Sequence, residues 1–330
     1  MPSSAVSTFS DPDEYTTAFR GSQAHLTISA RGQFSAQLTL VRLHSLQIQR
    51  FSENLPRVLR VAHVHRRATI SFITGPRQIW GGTELDPAHL TLHNLDQDHF
   101  HRSFGLASSG FMSLPLEDLM NAVATMAGRD LTPPPNALTF RPAPHTLARL
   151  QQLHAAAGRL AERTPEIITN PEAARGLEQT IIGAVVDCLA DRPEDKGSLA
   201  QLRHAAVMRR FWQAVEESAG QPLYIPEICS AIQVSERTLR ACCHEHLGMS
   251  PKRFLLLRRL ALARRSLRKP AADITSVTEI AMRYGFWDLG RFAAEYKALF
   301  DESPSATLRA PNGIAGPSHS ISASTLKAAQ

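Results

Sequence analysis

Two stretches decide the fold: residues 225–251, IPEICSAIQVSERTLRACCHEHLGMSP, and residues 277–304, VTEIAMRYGFWDLGRFAAEYKALFDESP. They are two copies of one unit. Glu227-Ile228 matches Glu279-Ile280, and the second copy carries one inserted residue at the turn. Then Ser235 matches Asp288, Leu239 matches Phe292, Cys243 matches Tyr296, and Ser250-Pro251 matches Ser303-Pro304. Each copy reads as helix, tight turn, helix. In the first, a short helix ends near Ile232 and Val234 packs inward. Ser235 caps the next helix, Leu239 and Cys243 form its buried stripe, and Gly248 supplies a left-handed stop. In the second, Gly285 makes the turn, Asp288 caps, and Phe292, Tyr296 and Leu299 face the core. Two helices joined by a short turn, the second one capped, form the helix-turn-helix pattern.

The buried stripe dictates which face of each second helix is free. In the first copy that face carries Glu236, Arg237, Arg240, Ala241 and His244, with Ser235 and Thr238 in the opening turn. An arginine there can pair bidentately with guanine O6 and N7 in a major groove. In the second copy, behind Asp288, it carries Leu289, Gly290, Arg291, Ala294 and Glu295, with Lys297 toward the end. This face is short and mostly apolar. It suits thymine methyl contacts, phosphate contacts from Arg291 and Lys297, or weak readout. A long basic helix from Pro251, PKRFLLLRRLALARRSLRK, joins the copies and sets the separation of the two recognition helices. Helices about 34 Å apart enter successive major grooves. Lys252, Arg253, Arg258, Arg259, Arg264, Arg265, Arg268 and Lys269 are candidate phosphate contacts, although each taken singly also fits a solvated surface charge.

Charge points the same way. The 330 residues include 36 Lys+Arg and 30 Asp+Glu, a net +6. From Arg203 to Ala310 there are 17 Lys+Arg against 11 Asp+Glu, so the whole excess lies in the last third. A basic module on a neutral body suits a polyanion, most simply nucleic acid. Cys188, Cys229, Cys242 and Cys243 form no CxxC or CxxH set, which argues against a disulfide framework or a zinc site. Low cysteine usage fits a reducing cytosol. Met1–Ser10 lacks the basic-then-apolar pattern of a signal peptide, and no run approaches ~18 apolar residues. The expected location is therefore cytoplasmic, with no membrane partner. No GxSxG, GxGxxG, P-loop or HExxH occurs, and neither an enzyme nor a cofactor is expected.

The length is too great for one ordinary core and suits two domains. Residues 1–14 read as a flexible lead-in. Residues 15–144 have mostly period two. Phe34, Ala36, Leu38 and Leu40 alternate with Ser35, Gln37 and Thr39, while Ile70 and Phe72 flank Ser71 and Leu90 and Leu92 flank Thr91. Breaks at Gly75-Pro76, Gly81-Gly82 and Asp86-Pro87 make these short strands, which predicts a sandwich or barrel. One helix interrupts them, with Leu116, Leu119, Met120 and Val123 on one face. A proline-rich stretch through Pro144 ends the β region. Residues 145–200 hold two amphipathic helices, the second opening on Asn170 as cap and Pro171. They either cover the β region or form a dimer interface. The tail, 310–330, is expected to be disordered. His63 and His65, and likewise His99 and His101, lie two apart and share a strand face, as metal ligands would. Surface or hydrogen-bonded histidine is the commoner reading. Trp80, beside Gly81-Gly82, is a candidate to line an effector pocket, or a core residue.

Residues 203–309 resemble the DNA-binding domain of the AraC/XylS family of bacterial transcription regulators. The segments SERTLRACCHEHLGMSPKRFLLLRRLALARRSL and VTEIAMRYGFWDLGRFAAEYKALFDESPSATLR carry the resemblance; the second, with IA, GF, a DxxRF step and a closing SP, is the signature half. The resemblance implies two helix-turn-helix units on double-stranded promoter DNA, work with RNA polymerase, and a cytoplasmic location. It implies an N-terminal effector-binding and dimerising module, often a cupin-like barrel, and so a small-molecule effector and a homodimer. Alternatives are a regulator without an effector, or a cupin-type metal enzyme joined to a DNA-binding domain. Three positions depart from the family pattern: Ala241 where Arg is frequent, Cys243 where Phe is usual, and Asp301 where Gly is usual. Asp adopts the left-handed conformation only at some cost.

Overall fold

A computed structural model describes the chain at all residues except 20–21, 64–66, 94–98, 133–136, 191, 193–198, 219–220, 269–275 and 311–330. His65, Lys269 and the tail from 311 on lie outside the described residues, and His63 is described only as the last residue of a strand.

The β-rich half is built from two antiparallel sheets. Strands β1 (Ser3–Phe9), β3 (Ala36–Arg42), β4 (Gln47–Glu53), β6 (Arg67–Ile73), β9 (Leu90–His93), β11 (Ala107–Pro115) and β12 (Leu138–Phe140) form the larger, in the order β1-β3-β4-β11-β6-β9-β12. Strands β2 (Ser22–Ile28), β5 (Arg57–His63), β7 (Gln78–Trp80), β8 (Thr83–Leu85) and β10 (His99–Arg102) form the smaller, in the order β2-β5-β10-β7-β8. Ring contacts cross between them, as from Trp80 to Phe111 and from His99 to His93, so their inner faces meet. The expected barrel is thus not closed: the strands separate into two facing sheets. The expected flexible lead-in is also different. Residues 3–9 pair along their length with β3, from Ser3 opposite Arg42 to Phe9 opposite Ala36. Helix α1 (Pro12–Thr17) follows, with the Asp11 carboxylate accepting from the backbone N–H of Asp13 and Glu14. The strand SSAVSTF is rich in small hydroxyl residues that suit an edge, which hides it from a reading based on apolar alternation.

The larger sheet is buried on both faces, and this is why its alternation blurs. Ala68, Ile70 and Phe72 of β6 join one core, whereas Thr69, Ser71 and Ile73 between them are buried on the other side. Helices α2 (Leu116–Ala127), α3 (Pro144–Arg163), α4 (Pro165–Thr169) and α5 (Pro171–Ala190) cover the outer face. Leu119, Leu150, Ile181 and Val185 pack there on Ile48, Leu92 and Met112. Asn170 caps α5 as expected, its Oδ1 accepting from the N–H of Glu172 (3.0 Å) and Ala173 (3.1 Å). Buried Glu178 then fastens α5 to the β3–β4 turn, accepting from the backbone N–H of His44, Ser45 and Leu46 at 2.8–3.0 Å. The apolar stripes of α3 and α5 thus pack on the sheet, the arrangement of the covering reading. On α2, Leu119 and Val123 are buried while Met120 faces solvent.

The helical half begins with α6 (Leu199–Glu217), ahead of the expected start at Arg203, and continues through α7 (Ile225–Ile232), α8 (Glu236–Leu247), α9 (Pro251–Arg268), α10 (Val277–Arg283), α11 (Leu289–Phe300) and α12 (Pro304–Arg309). It docks on the outer face of the smaller sheet. Register puts His25, Arg60 and Phe100 side by side on that face, with Val58 and Arg102 adjacent. Val58 and Phe100 enter the same core as Phe211, Trp212 and Leu239. Arg60 donates to Glu216 (2.9 Å) and lies 4.8 Å over the Trp212 ring. Asp11 and Asp13 pair with Arg268 and Arg265 of α9.

One buried histidine gives the N-terminal body a pH dependence. His154 of α3 lies against the outer sheet face, with its ring 5.0 Å from Phe72 and its Nε2 donating to the Gln49 carbonyl at 3.2 Å. Gly110 of β11 is a glycine for this reason: a Cβ there would come within 2.5 Å of the His154 ring. Burial first, and the Arg50 charge second, push His154 down to about 4. The folded form therefore resists protonation that the unfolded chain accepts near the ordinary value. Stability is expected to be constant above pH ~6.5 and to fall by about 3 kcal/mol as pH drops from there toward 4. Denaturant midpoints measured across this range check the prediction, and His154→Gln should flatten that part of the curve.

Candidate nucleic-acid interface

Both turns of the duplicated unit are built alike. After α7, Gln233 takes a left-handed φ of 55° and the Val234 N–H donates to the Cys229 carbonyl at 3.0 Å. Ser235 Oγ then accepts from the Thr238 N–H at 3.1 Å and opens α8. After α10, Gly285 has φ 74° and the Phe286 N–H donates to the Ala281 carbonyl at 2.9 Å. Asp288 Oδ1 accepts from the Arg291 N–H at 2.9 Å and opens α11. Gly248 (φ 70°) and Asp301 (φ 62°) end the two recognition helices, as the repeat required. Asp301 holds its strained position with its side chain paired to Arg31.

The two units share α9. Phe254 and Leu255 belong to the first core, with Leu239, Cys242, Cys243 and Leu247 of α8. Leu257, Leu260, Ala263 and Leu267 belong to the second, with Phe292, Tyr296 and Leu299 of α11. Cys242 and Cys243 are both fully buried, and burial pushes their thiols up to about 11 and about 12, so they serve as small core residues. Cys243 shares its core with the large aromatics Phe211, Trp212 and Phe254.

The free faces are the expected ones. Glu236, Arg237, Arg240, Ala241 and His244 are exposed on α8, and Thr238 is half-buried with its hydroxyl 2.9 Å from Ser235 Oγ. On α11, Leu289, Gly290, Arg291, Ala294 and Lys297 are exposed, and Arg291 donates to half-buried Glu295 at 3.0 Å. Lys252 and Arg253 project from the first turn of α9, which holds no acidic residue. The rest of that helix differs from expectation. Arg259 donates to the Gly285 carbonyl (3.2 Å) and lies over Phe286, and Arg264 donates to Glu302 (3.1 Å). Arg258 lies 5.6 Å over Trp212. Arg265 and Arg268 hold Asp13 and Asp11. A helix wedged between two cores and a neighbouring domain has little free perimeter, so its arginines become internal ties. Trp287, 72% exposed just before the cap of α11, was not foreseen. The inserted residue at the turn was its only signal.

A family model described as a helix-turn-helix domain matches residues 228–310. The C-terminal module is a helix-turn-helix domain of the AraC/XylS type. The XylDLEGF operon transcriptional activator of Pseudomonas putida is 38% identical over 100 residues, 30% of this chain and 31% of that protein. The probable thc operon regulatory protein of Rhodococcus erythropolis is 35% identical over 143 residues, 43% of this chain and 42% of that protein. The matches thus span less than half of these relatives' length. The AraC-like transcriptional activator CuxR, a solved structure, aligns over 76% of this chain and 90% of its own at 15% identity, with a TM-score of 0.42. That likeness is too loose to compare residues.

The AraC/XylS-type module rests on its caps. Ser235→Ala and Asp288→Ala remove one acceptor each from a helix N-terminus, and each is expected to lower stability by ~1 kcal/mol. Chemical denaturation of the full chain checks this.

Proposed function

We propose that this chain is a sequence-specific transcription regulator that binds double-stranded promoter DNA in the cytoplasm, works with RNA polymerase, and answers to a small molecule held by its N-terminal domain. One observation carries the DNA-binding reading. Both recognition helices of the AraC/XylS-type module keep their outward faces open while their opposite faces are buried in the module's two cores. Arg237, Arg240 and His244 on α8 supply hydrogen-bonding side chains for base edges, while α11 supplies a mainly apolar face flanked by Arg291 and Lys297. Lys252 and Arg253, two cations in the first turn of α9, oppose the helix dipole, and a phosphate between them and the helix end offsets this. The relatives from Pseudomonas putida and Rhodococcus erythropolis are named as an operon activator and a probable operon regulator, which agrees with this reading.

Support for effector control comes from β10. Successive residues of a strand face opposite ways. His99 and His101 turn inward, where His101 stacks on Trp80 at 4.4 Å and His99 lies 4.6 Å from His93. Ser71, Gln78 and Phe111 complete this buried polar and aromatic group. Phe100 and Arg102 turn outward onto the DNA-binding module. Phe100 packs 5.8 Å from Trp212, and the Arg102 guanidinium lies against Gly248, the end of α8. A ligand among Trp80, His93 and His101 would therefore press on a strand whose other face touches the first recognition helix. Trp80 remains an effector candidate on this reading, with His93 and His101 in place of His63 and His65. Among the described residues no group of His, Cys, Asp and Glu has the geometry to hold a metal ion, and none of their helices is long and apolar enough to cross a membrane.

Genome-wide mapping of bound sites in cells tests the function and names the regulated genes. In vitro, affinity of the full chain for a mapped site should fall steeply between low and moderate salt, because phosphate contacts release counterions. Arg240→Ala should cost about 1–3 kcal/mol on the preferred site and less on random DNA. Equal loss on both would make Arg240 a phosphate contact, and a salt-independent affinity would sink the DNA-binding reading.

A further inference from the structure

The two copies of the repeat differ by one residue at the turn, and the structure identifies that residue. Val234 and Phe286 are equivalent: each follows a left-handed residue, Gln233 or Gly285, and each donates its N–H to the carbonyl five residues back. Each also packs into the core of its own unit. Ser235 and Asp288 are equivalent as caps. In the first copy Val234 runs straight into its cap. In the second, Trp287 stands between Phe286 and Asp288. The core position is already taken by Phe286, so the extra residue has no place inside, and Trp287 is 72% exposed. Leu289, two residues on, is exposed as well, so the start of α11 presents an apolar patch rather than a lone side chain.

Its neighbours indicate what it meets. Trp287 precedes the cap of α11, and the N-terminal end of a recognition helix is the part that approaches base edges. Leu289 is 38% exposed one residue beyond the cap, and Gly290 and Ala294 leave the helix face low beside it. Arg283 and Lys297 are exposed on the two helices that flank the turn, while Arg291 is paired with Glu295; cations beside an apolar tip suit a phosphate-lined groove better than an apolar protein surface. The apolar features of a major groove are the thymine methyl groups.

We propose that Trp287, with Leu289, is a specificity-determining surface that reads thymine 5-methyl groups at the half-site of the second recognition helix. The inference rests on the DNA-binding reading above. It makes the two half-sites chemically unlike: hydrogen-bonded readout by α8, methyl readout by α11.

The full chain is used to select duplexes from a random-sequence library, and the enriched site is remade with deoxyuridine replacing thymidine one position at a time, which removes only the methyl group. Wild-type affinity should fall about fourfold at each contacted thymine, and at those positions Trp287→Ala should show no further loss on replacement. Leu289→Ala should lose part of the same response, while Arg240→Ala should keep it in full. If a site is enriched but deoxyuridine costs wild type and Trp287→Ala equally, or costs nothing, Trp287 does not read thymine and its exposed ring serves a sugar-phosphate or protein contact. If no sequence is enriched at all, the DNA-binding reading falls and takes this inference with it. Trp287 is not a core residue, so Trp287→Ala should melt as wild type does, which separates a binding defect from a folding one.

Discussion

Burial of one helix in two cores holds the DNA-binding module in a single geometry. Helix α9 gives Phe254 and Leu255 to the first helix-turn-helix unit and Leu257, Leu260, Ala263 and Leu267 to the second. Neither unit can turn relative to the other without pulling apolar side chains from a close-packed interior. The arginines of α9 reinforce this. Arg259 ties the helix to the turn before α11, and Arg264 ties it to Glu302 ahead of α12. The basic charge of the last third therefore has two uses. On the recognition helices and in the first turn of α9 it faces outward. Along the remainder of α9 it holds the protein together.

The N-terminal body shows how alternation along a strand can serve two sets of contacts. Helices α8 and α9 of the DNA-binding module pack on the outer face of the smaller sheet, against β10 and β2. Arg60, Phe100 and Arg102 meet that module while His99, His101 and Trp80 look inward. Beside them, Glu53 and Arg57 form a buried ion pair whose other hydrogen-bonding positions are used by the Tyr15 hydroxyl and the His101 carbonyl. Such a pair is tolerated in an interior only when its remaining polar atoms are satisfied. It joins α1, β4, β5 and β10, and so connects the segment carrying Asp11 and Asp13 with the strand that touches α8.

Much of the interface was legible in advance because local rules decide it. The turn, the caps Ser235 and Asp288, the left-handed stop at Gly248, and the buried stripe of each recognition helix follow from spacing and residue type. The structure places each of them as the repeat implied. Less of the β half was legible. A sheet buried on both faces loses the contrast between apolar and polar positions, so Thr39 and Ser71 are as hidden as Leu38 and Ile70. The edge strand at Ser3–Phe9 read as a loose lead-in because its hydroxyl-rich side chains carry little apolar signal.

The sequence by itself determined the duplicated helix-turn-helix module, its exposed residues and the strand-rich character of what precedes it, because periodicity, capping and glycine conformations are properties of neighbouring residues. The tertiary structure alone decided the rest. It set which arginines are free and which are internal ties, sent the inserted Trp287 into solvent, and placed the module on the outer face of the smaller sheet. Those outcomes depend on which surfaces, far apart in the chain, exclude water from one another. Long-range burial of that kind leaves no regular spacing to read.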